Sequence, residues 1–591
     1  MATENETGRQ PIAIIEIDQP QCSLTYSESP CTAVLGTDGT SKCFNTFRSC
    51  QDTENYDPSV TLTLRFVAPR SNLPLDLGVL IPCVKDYRTS PGTIRIDDGL
   101  GKRASLNIAM QDFPYHDRLV DPYQSERVSG DAQSNGVGYD PTERGTFWTK
   151  WIRRNPFYQG YACRVREGYV GDTLGQMRVR HYILERIEGP DTDGNVKITA
   201  KDPIKLADWS RAQVPVSSNG RLDAAITSGD GSATLAPAGV GDDEYPASGL
   251  IRIGDELIDF TRSGDSLTLD NRGVRGTEAD SHDEDDSVQL CYTMDDDTLS
   301  DVLDDLFQNY ATIDASWIPK ADWDDEVSEW LFGFNLTGEI TEPTGVDEVV
   351  STLLVQNLCF MWWDEYEQEI KLQALKPPQT ASSVTDLTDD ANLIQNSAVI
   401  KRMPEDRRSR VYTYYDILDP TTNRDQPQNY RKLRGAIDSD AETDNEYGEI
   451  RTKRIYAPFW DNSNTGATLA LNSRTLARLR DTPEVFSFLL DAKDRTLGMA
   501  DVIDVQHRNG VDLTGAVETR RYQVIERDEV EPGHRIKYKA QTYTFFGRYA
   551  FIMQNSAPYY GSATEHERDT GGFISKNDET FANGDTAYKI I

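Results

Sequence analysis

The stretch Val60-Thr61-Leu62-Thr63-Leu64-Arg65-Phe66-Val67 alternates apolar and polar side chains with period two from Val60 to Phe66. That pattern gives a β-strand one buried and one solvated face. Upstream, Pro11-Ile12-Ala13-Ile14-Ile15-Glu16-Ile17 reads as a second strand. Between them runs a polar excursion of about forty residues, long for a connection inside a compact domain unless something holds it. Four of the eight cysteines fall in this excursion: Cys22, Cys31, Cys43 and Cys50. Four converging thiolates would staple such a loop to the sheet it leaves. The expectation is a β scaffold carrying a cross-linked loop.

The cysteine spacing leaves three chemistries open. Two disulfides would suit an oxidising compartment, but Met1-Ala2-Thr3-Glu4-Asn5-Glu6 has no secretory-signal character, so a reducing cytoplasm is the expected site of synthesis. Zinc knuckles favour tight C-x₂₋₄-C pairs, which are absent, although four loop thiolates remain a possible zinc set. An iron–sulfur cluster is the third reading, because a bulky cube can be caged by well-separated loops; the common ferredoxin runs are not present. The other cysteines, Cys83, Cys163, Cys291 and Cys359, are scattered singly and read as small core hydrophobes.

Working outward, strand-like runs continue at Thr93–Ile96, Ala104–Met110 and Arg178–Ile187. The turn Asp193-Gly194 leads into Val196–Ala200. Trp148 and Ile152 place a short amphipathic helix before Pro156. From about 222 to 291 the composition shifts to Gly, Asp, Ser and Thr, with short strands at Ile251–Phe260 and Ser266–Leu269, as in a small inserted β module. Leu299, Val302, Leu303, Leu306, Phe307 and Tyr310 form one helical stripe behind the acidic run Asp295-Asp296-Asp297. A second helix is predicted from Thr344, with Asp347 completing a capping-box-like pair, followed by a hairpin from Phe360 to Leu375. Arg410–Tyr415, Val502–Val505, Arg521–Ile525 and Arg535–Ala540 read as strands, and Asn472–Asp481 as a helix. The fold class is therefore mainly β and multidomain, with a central α+β domain and an inserted small β module. The expected boundaries are 1–60 for the N-terminal strand and four-cysteine loop, 61–218 for a first β domain, 219–291 for the module, 292–395 for the α+β domain, 396–556 for a second β-rich domain and 557–591 for an extension that docks on a partner.

The composition narrows function. With 591 residues, 61 Lys plus Arg and 97 Asp plus Glu, the chain has a formal charge of −36, which disfavours a surface built to grip phosphate backbones. No apolar run approaches the roughly 20 residues of a membrane helix. Hydrophobic residues are 37%, yet nine Trp and 27 Tyr supply large buriable groups. The six histidines lie singly, without metal-ligand spacing, and no nucleophile elbow, P-loop or dinucleotide fingerprint is present. Asp191–Gly194 and His282–Asp286 resemble fragments of calcium loops without completing one, and read as solvated turns. A large, acidic, β-rich chain without a convergent catalytic set suggests a structural part rather than an enzyme.

Several runs resemble a known family. Gly99–Ile108, Asp112-Phe113-Pro114-Tyr115-His116-Asp117, Asp121-Pro122-Tyr123, Gly145-Thr146-Phe147-Trp148, Arg154-Asn155-Pro156-Phe157-Tyr158, Ala200–Asp208 and, in the module, Arg272–Ala279 are similar to segments of the baseplate hub, or tail tip, proteins of siphophages and gene transfer agents. The resemblance covers roughly residues 11–375 and, more loosely, the β-rich remainder. Lambda-like members carry a four-cysteine [4Fe–4S] motif. The outer spacings match it, Cys22 to Cys31 and Cys43 to Cys50, while the middle gap is shorter and the motif lies near the N-terminus. The resemblance thus implies a [4Fe–4S] cluster on Cys22, Cys31, Cys43 and Cys50, with zinc as the alternative. It also implies a non-enzymatic virion protein: a homotrimer closing the tail tube through two related β-barrel domains per chain. Its partners would be a distal tail protein ring, the tape-measure protein and a central tip or fibre. Phage DNA would pass without specific binding, repelled by negative charge, and there would be no stable membrane insertion. The protein would assemble in the host cytoplasm and reside in the virion tail tip. A receptor-binding tip and, behind it, a tail-associated peptidoglycan hydrolase are the alternatives.

Overall fold

The computed structural model describes residues 8–34, 42–69, 77–95, 99–129, 139–331, 333–376, 384–443 and 448–544, and beyond them 551–552, 562, 564 and 571–572. The chain is mainly β, with several sheets. The alternating stretch is a strand over its full predicted length. We label the first sheet β1 (Pro11–Gln21), β2 (Val60–Val67), β3 (Ile81–Pro82), β4 (Val84–Ser90), β5 (Ser105–Gln111), β6 (Ala162–Tyr169), β7 (Arg178–Glu188) and β8 (Asn195–Lys201). Their order is β3-β2-β1-β6-β7-β8-β5-β4. The two end strands, β3 and β4, are consecutive in the chain and separated only by Cys83. Chain continuity therefore brings the two edges of the sheet together into a nearly closed barrel.

The period-two pattern sends Ile17, Leu64, Phe66, Leu106, Ile108, Val165, Leu184 and Ile198 into one core. Two short helices serve this barrel: α1 (Gln124–Ser129) and α2 (Phe147–Arg154). Phe147, Trp148 and Trp151 of α2 are buried, and Trp148 stacks on Phe66 with ring centroids 5.3 Å apart. The helix start is fixed by Asp112, whose Oδ1 accepts from the Trp148 amide at 2.9 Å and whose Oδ2 accepts from Thr146 Oγ1. Cys83, Cys163, Cys291 and Cys359 are all buried, as small core residues should be.

A six-stranded antiparallel sheet runs from Arg221–Leu222 to Val288–Leu290 and closes on its own core of Leu235, Ile251, Ile258, Phe260 and Leu267. Next come helices at Leu299–Asp305, Lys320–Trp330 and Val346–Gln356, and the hairpin Cys359–Asp364/Glu369–Ala374. Trp323 Nε1 donates to the Ile370 carbonyl at 2.8 Å and ties helix to hairpin. Further on, Tyr430–Ile437, Arg410–Ile417 and Thr452–Ala457 form a three-stranded sheet against the helix Thr465–Leu479. A six-stranded sheet, from Thr385–Thr388 at one edge to Val399–Arg402 at the other, has its core at Phe486, Phe488, Ile503, Val524, Ile536 and Tyr538. Residues Thr544–Ile591 make a separate unit in which Phe551–Ile552 pair with Gly571–Gly572. Most of the predicted docking extension, 557–591, lies outside the described residues. Among the described residues no helix is long and apolar enough to cross a membrane.

Four local expectations are corrected. Thr93–Ile96 is not a strand where described: Thr93 makes isolated bridges to Lys102 and Glu526, because Gly99 and Gly101, both at positive φ, turn the chain too soon for a ladder. Thr344 does not cap the following helix. It pairs as strand with Val214, and Gly345 takes the cap position. The stripe from Leu299 ends in a π-helical turn over Leu306–Tyr310, closed by the Ala311 amide on the Leu306 carbonyl. The helix predicted at Asn472 starts earlier, at Thr465, behind a capping box made by Asp461 and Asn464.

Buried charge joins the first sheet, the hairpin and the last sheet. Arg180 on β7 donates to Glu167 on β6 at 2.5 Å and lies 3.7 Å from Glu365 of the hairpin turn. Tyr182 donates to Glu365, and Tyr366 donates to Glu529 of the last sheet at 3.0 Å. Arg178 and Arg527 each place a guanidinium over the Tyr366 ring, at 4.4 and 4.5 Å.

Candidate metal centre

The polar excursion leaves β1 after Gln21 and re-enters at Val60, which pair directly across the sheet. It is rooted at one point and must be held elsewhere. Cys22 follows β1 at once, and its amide donates to the Asn45 carbonyl at 2.9 Å. Cys31 closes a turn through its amide on the Glu28 carbonyl. Cys50 ends the 3₁₀ turn Phe47–Ser49, with its amide on the Phe47 carbonyl. Asp52 then links two of these segments, its Oδ2 accepting from the Thr32 amide at 2.7 Å.

These turns bring all four predicted cysteines to one small cavity, also lined by Tyr26, Asn45, Gln51 and Tyr56. None of the four is in a disulfide, and each is half-buried. The cavity has about 10 Å³ of space for the centre of a water-sized sphere, room for one water molecule. Cys43 Sγ donates to Asn45 Oδ1 at 3.3 Å; Cys50 Sγ donates to the Asp52 carbonyl and accepts from the Asp52 amide at 3.4 Å. Burial raises the Cys43 pKa, and the other three cysteines raise it further. Cys50 is raised by burial and then by Cys22 and Cys31. The Tyr56 hydroxyl is pushed up to about 12, by burial first and then by Tyr161, Cys22 and Cys50.

The loop is clamped from outside by Asp117, Asp121, Tyr123 and Arg154, which sequence reasoning quoted but did not assign, together with Arg127 and Lys150, which it did not single out. Arg127 of α1 is buried. It donates to Asp121 at 2.7 Å and, through Nη2, to the carbonyls of Lys42 and Cys43, each at 2.6 Å. The Tyr123 hydroxyl accepts from the Tyr26 amide at 2.8 Å. Phe44 has the guanidinium groups of Arg127 and Arg154 over its ring, each 3.9 Å from the centroid. Arg154 and Lys150 in turn pair with fully buried Asp117 at 2.7 and 2.8 Å. The available signal for this clamp was the spaced aspartates Asp112, Asp117 and Asp121 among the aromatics Phe113, Tyr115 and Tyr123; Arg127 itself stands in no pattern.

The donor set tests what the site could hold. All four candidate ligands are thiols, which suit zinc or iron–sulfur groups over hard cations. None of the residues lining the cavity is a carboxylate. Among the described residues no group of three or more His, Cys, Asp or Glu side chains is gathered so as to hold a metal ion as it stands. The cysteines line one cavity from separate turns without forming such a group.

No protein-family model matches the chain, and no curated protein matches it. Among solved structures it is similar to the 43 kDa tail protein of prophage MuSo2 from Shewanella oneidensis, at 11% identity over 78% of this chain and 97% of that one, with a TM-score of 0.34. It is also similar to a tail protein from Neisseria meningitidis MC58, at 8% identity over 78% and 96%, TM-score 0.36. A third similarity is to prophage tail protein gp18 from Listeria monocytogenes EGD-e, at 9% identity over 77% and 94%, TM-score 0.31.

Proposed function

We propose that this chain is a structural virion protein, the baseplate hub of a long-tailed phage, and that Cys22, Cys31, Cys43 and Cys50 hold a structural [4Fe–4S] cluster. One observation carries the reading. The segments that resemble tail tip proteins, 112–117, 121–123, 145–148 and 154–158, contribute to the wall against which the four-cysteine loop is clamped, through Tyr123, Asp117 and Arg154, with Arg127 held by Asp121. Scaffold and loop are one piece of construction. All four donors are thiols, which suit an iron–sulfur group or zinc over hard cations, and the resemblance to lambda-like tail tip proteins favours the cluster. When bound, such a group would supply a cross-link between the turns, coupling its binding to the order of the loop.

In this reading three copies form a ring that closes the tail tube beneath a distal tail ring. The tape-measure protein and DNA pass through without specific contacts, and the ring joins to a central tip or fibre. The test is anaerobic purification of the full chain with iron and acid-labile sulfide analysis. About four of each per chain are expected, with both lost in Cys43→Ser. Zinc without sulfide would replace the cluster; no metal at all would remove the site. Light scattering should give a trimer, and a monomer at assembly concentrations would contradict the ring.

A further inference from the structure

The three-stranded sheet ends on one side at Tyr430–Ile437, and among the described residues no strand pairs with the outer side of that strand. Arg431, Lys432, Leu433, Arg434 and Gly435 are all exposed. The strand keeps an unbroken antiparallel register with its one neighbour, from Ile437 opposite Arg410 to Lys432 opposite Tyr415. In such a ladder alternate residues point their N–H and C=O groups away from the neighbour, so a row of backbone donors and acceptors faces outward. From below, Asn472 Nδ2 of the helix Thr465–Leu479 donates to the Arg434 carbonyl at 3.3 Å and ties the edge to the helix.

The two faces of this edge differ. Lys432 and Arg434 stand on the face shared with Tyr415 and Thr413, and among the described residues neither cation has a carboxylate partner. Arg431 pairs with Asp416 at 3.0 Å, and the strand holds no acid of its own. Leu433 and Ile437, each 53% exposed, stand on the opposite face. Between them is Gly435, where a Cβ would lie 2.7 Å from Tyr412 Cε1, so the missing side chain lets the Tyr412 ring lie against the strand. Leu433, Tyr412 and Ile437 thus make an apolar strip behind the edge. Proline or a break in register would blunt such an edge, and Lys432–Ile437 contains neither. Cations blunt an edge as well, but only towards strands that are not acidic.

We infer that the edge Lys432–Ile437 is a docking site for an extended, acidic segment of a partner protein, added to the sheet as a further strand. Backbone and charge together choose this occupant. The open ladder takes another polypeptide, whereas a nucleic acid has no row of N–H and C=O groups to offer it. A second copy joined edge to edge fits badly. Its own Tyr430–Ile437 is basic, and the far edge of the same sheet, Thr452–Ala457, carries Lys453 and Arg454 and no acid, so like charges would stand opposite one another. A strand with carboxylates at alternate residues sets them against Lys432 and Arg434, while its intervening apolar side chains cover Leu433, Tyr412 and Ile437. The inference goes beyond the hub reading and does not rest on it.

The test is fluorescence anisotropy of a labelled Glu-Val-Glu-Val-Glu-Val peptide titrated with the full chain, with amide hydrogen exchange to locate it. Saturable binding is expected, with exchange slowed in 431–437 and unchanged in Thr452–Ala457. The isomer Glu-Glu-Glu-Val-Val-Val, the alternating peptide N-methylated at every residue, and a thymidine oligonucleotide should each bind about tenfold more weakly or not at all. The double variant Lys432→Glu/Arg434→Glu should lose the acidic peptide by about tenfold or more and gain Lys-Val-Lys-Val-Lys-Val, a gain that requires a folded edge. Should charge reversal lower the melting temperature, Lys432→Gln/Arg434→Gln reads the same contacts through the loss alone. No saturable binding, binding unchanged in the variants, protection outside 431–437, or preference for the oligonucleotide would overturn the inference. So would a fall in the chain's own self-association on charge reversal, which would seat a second copy at the edge.

Discussion

At the scale of single residues, Arg127 does the most for the candidate centre. Its guanidinium neutralises buried Asp121 and ties off two loop carbonyls at once. Arg127→Ala leaves Asp121 buried without its ion-pair partner, and should cost about 3 kcal/mol. It should also open the loop, seen as faster amide exchange in 42–50 than in β1 or β2. Uniform exchange across all three would mean the clamp is not local. Glu16 is the second such residue. It is fully buried and receives Arg65, Arg164 and Arg166 at 2.8, 3.0 and 2.8 Å. Burial alone would raise its pKa, but the hydrogen bonds from Arg65 and Arg164 and the charge of Arg166 together outweigh burial and hold it below the usual 4.5. Because the folded value lies below the unfolded one, its stabilisation is complete above about pH 4.5 and is lost as pH falls through the folded value. The melting temperature should therefore fall more steeply below pH 4.5 in the parent than in Glu16→Gln. At pH 7 the variant should be less stable by about 3 kcal/mol. Parallel pH curves would place the acid sensitivity elsewhere. The cysteines were readable because thiols are rare and their crowding is conspicuous; Arg127 and the Glu16 cluster were not, because charged residues are common and only the pairing of β1 with β2 and β6 reveals who faces whom.

At the scale of elements, α2 depends on a single carboxylate. Asp112 precedes it by more than thirty residues, yet accepts from the Trp148 amide and from Thr146. Asp112→Ala should cost about 1–2 kcal/mol, measured as a lowered denaturant midpoint, with Asp112→Asn keeping part of the loss. No change would mean that the local Thr146–Thr149 capping box suffices. Elements with a clean period were readable: β2 and β5 by alternation, α2 by Trp148 and Ile152. Those set by neighbours were not. Lys320–Trp330 buries only Trp323, Val327 and Trp330 among many acids, so its stripe is thin. The bridge at Thr93 depends on Glu526, far away in the chain.

At the scale of the whole molecule, the Arg180 cluster joins regions that sequence distance separates. Glu167, Glu365, Tyr366 and Glu529 come from three sheets and meet only after folding, which is why no local reading could place them. Arg180→Met removes the cation that Glu167 and Glu365 share, and should cost about 3 kcal/mol or more. Calorimetry should then resolve separate transitions for the first and last sheets where the parent shows one; a single transition at lower temperature would mean the junction stabilises without coupling. Mainly-β character followed from composition and pattern, whereas closure of the first barrel rests on the one-residue step at Cys83 between strands at opposite margins of the sheet. That step has a mechanical meaning. Because the two margins are tied to each other by the chain itself, neither can be drawn away without pulling on the strand at the far side. A load applied at one margin is therefore shared with the other, which an open sheet of the same strands could not do.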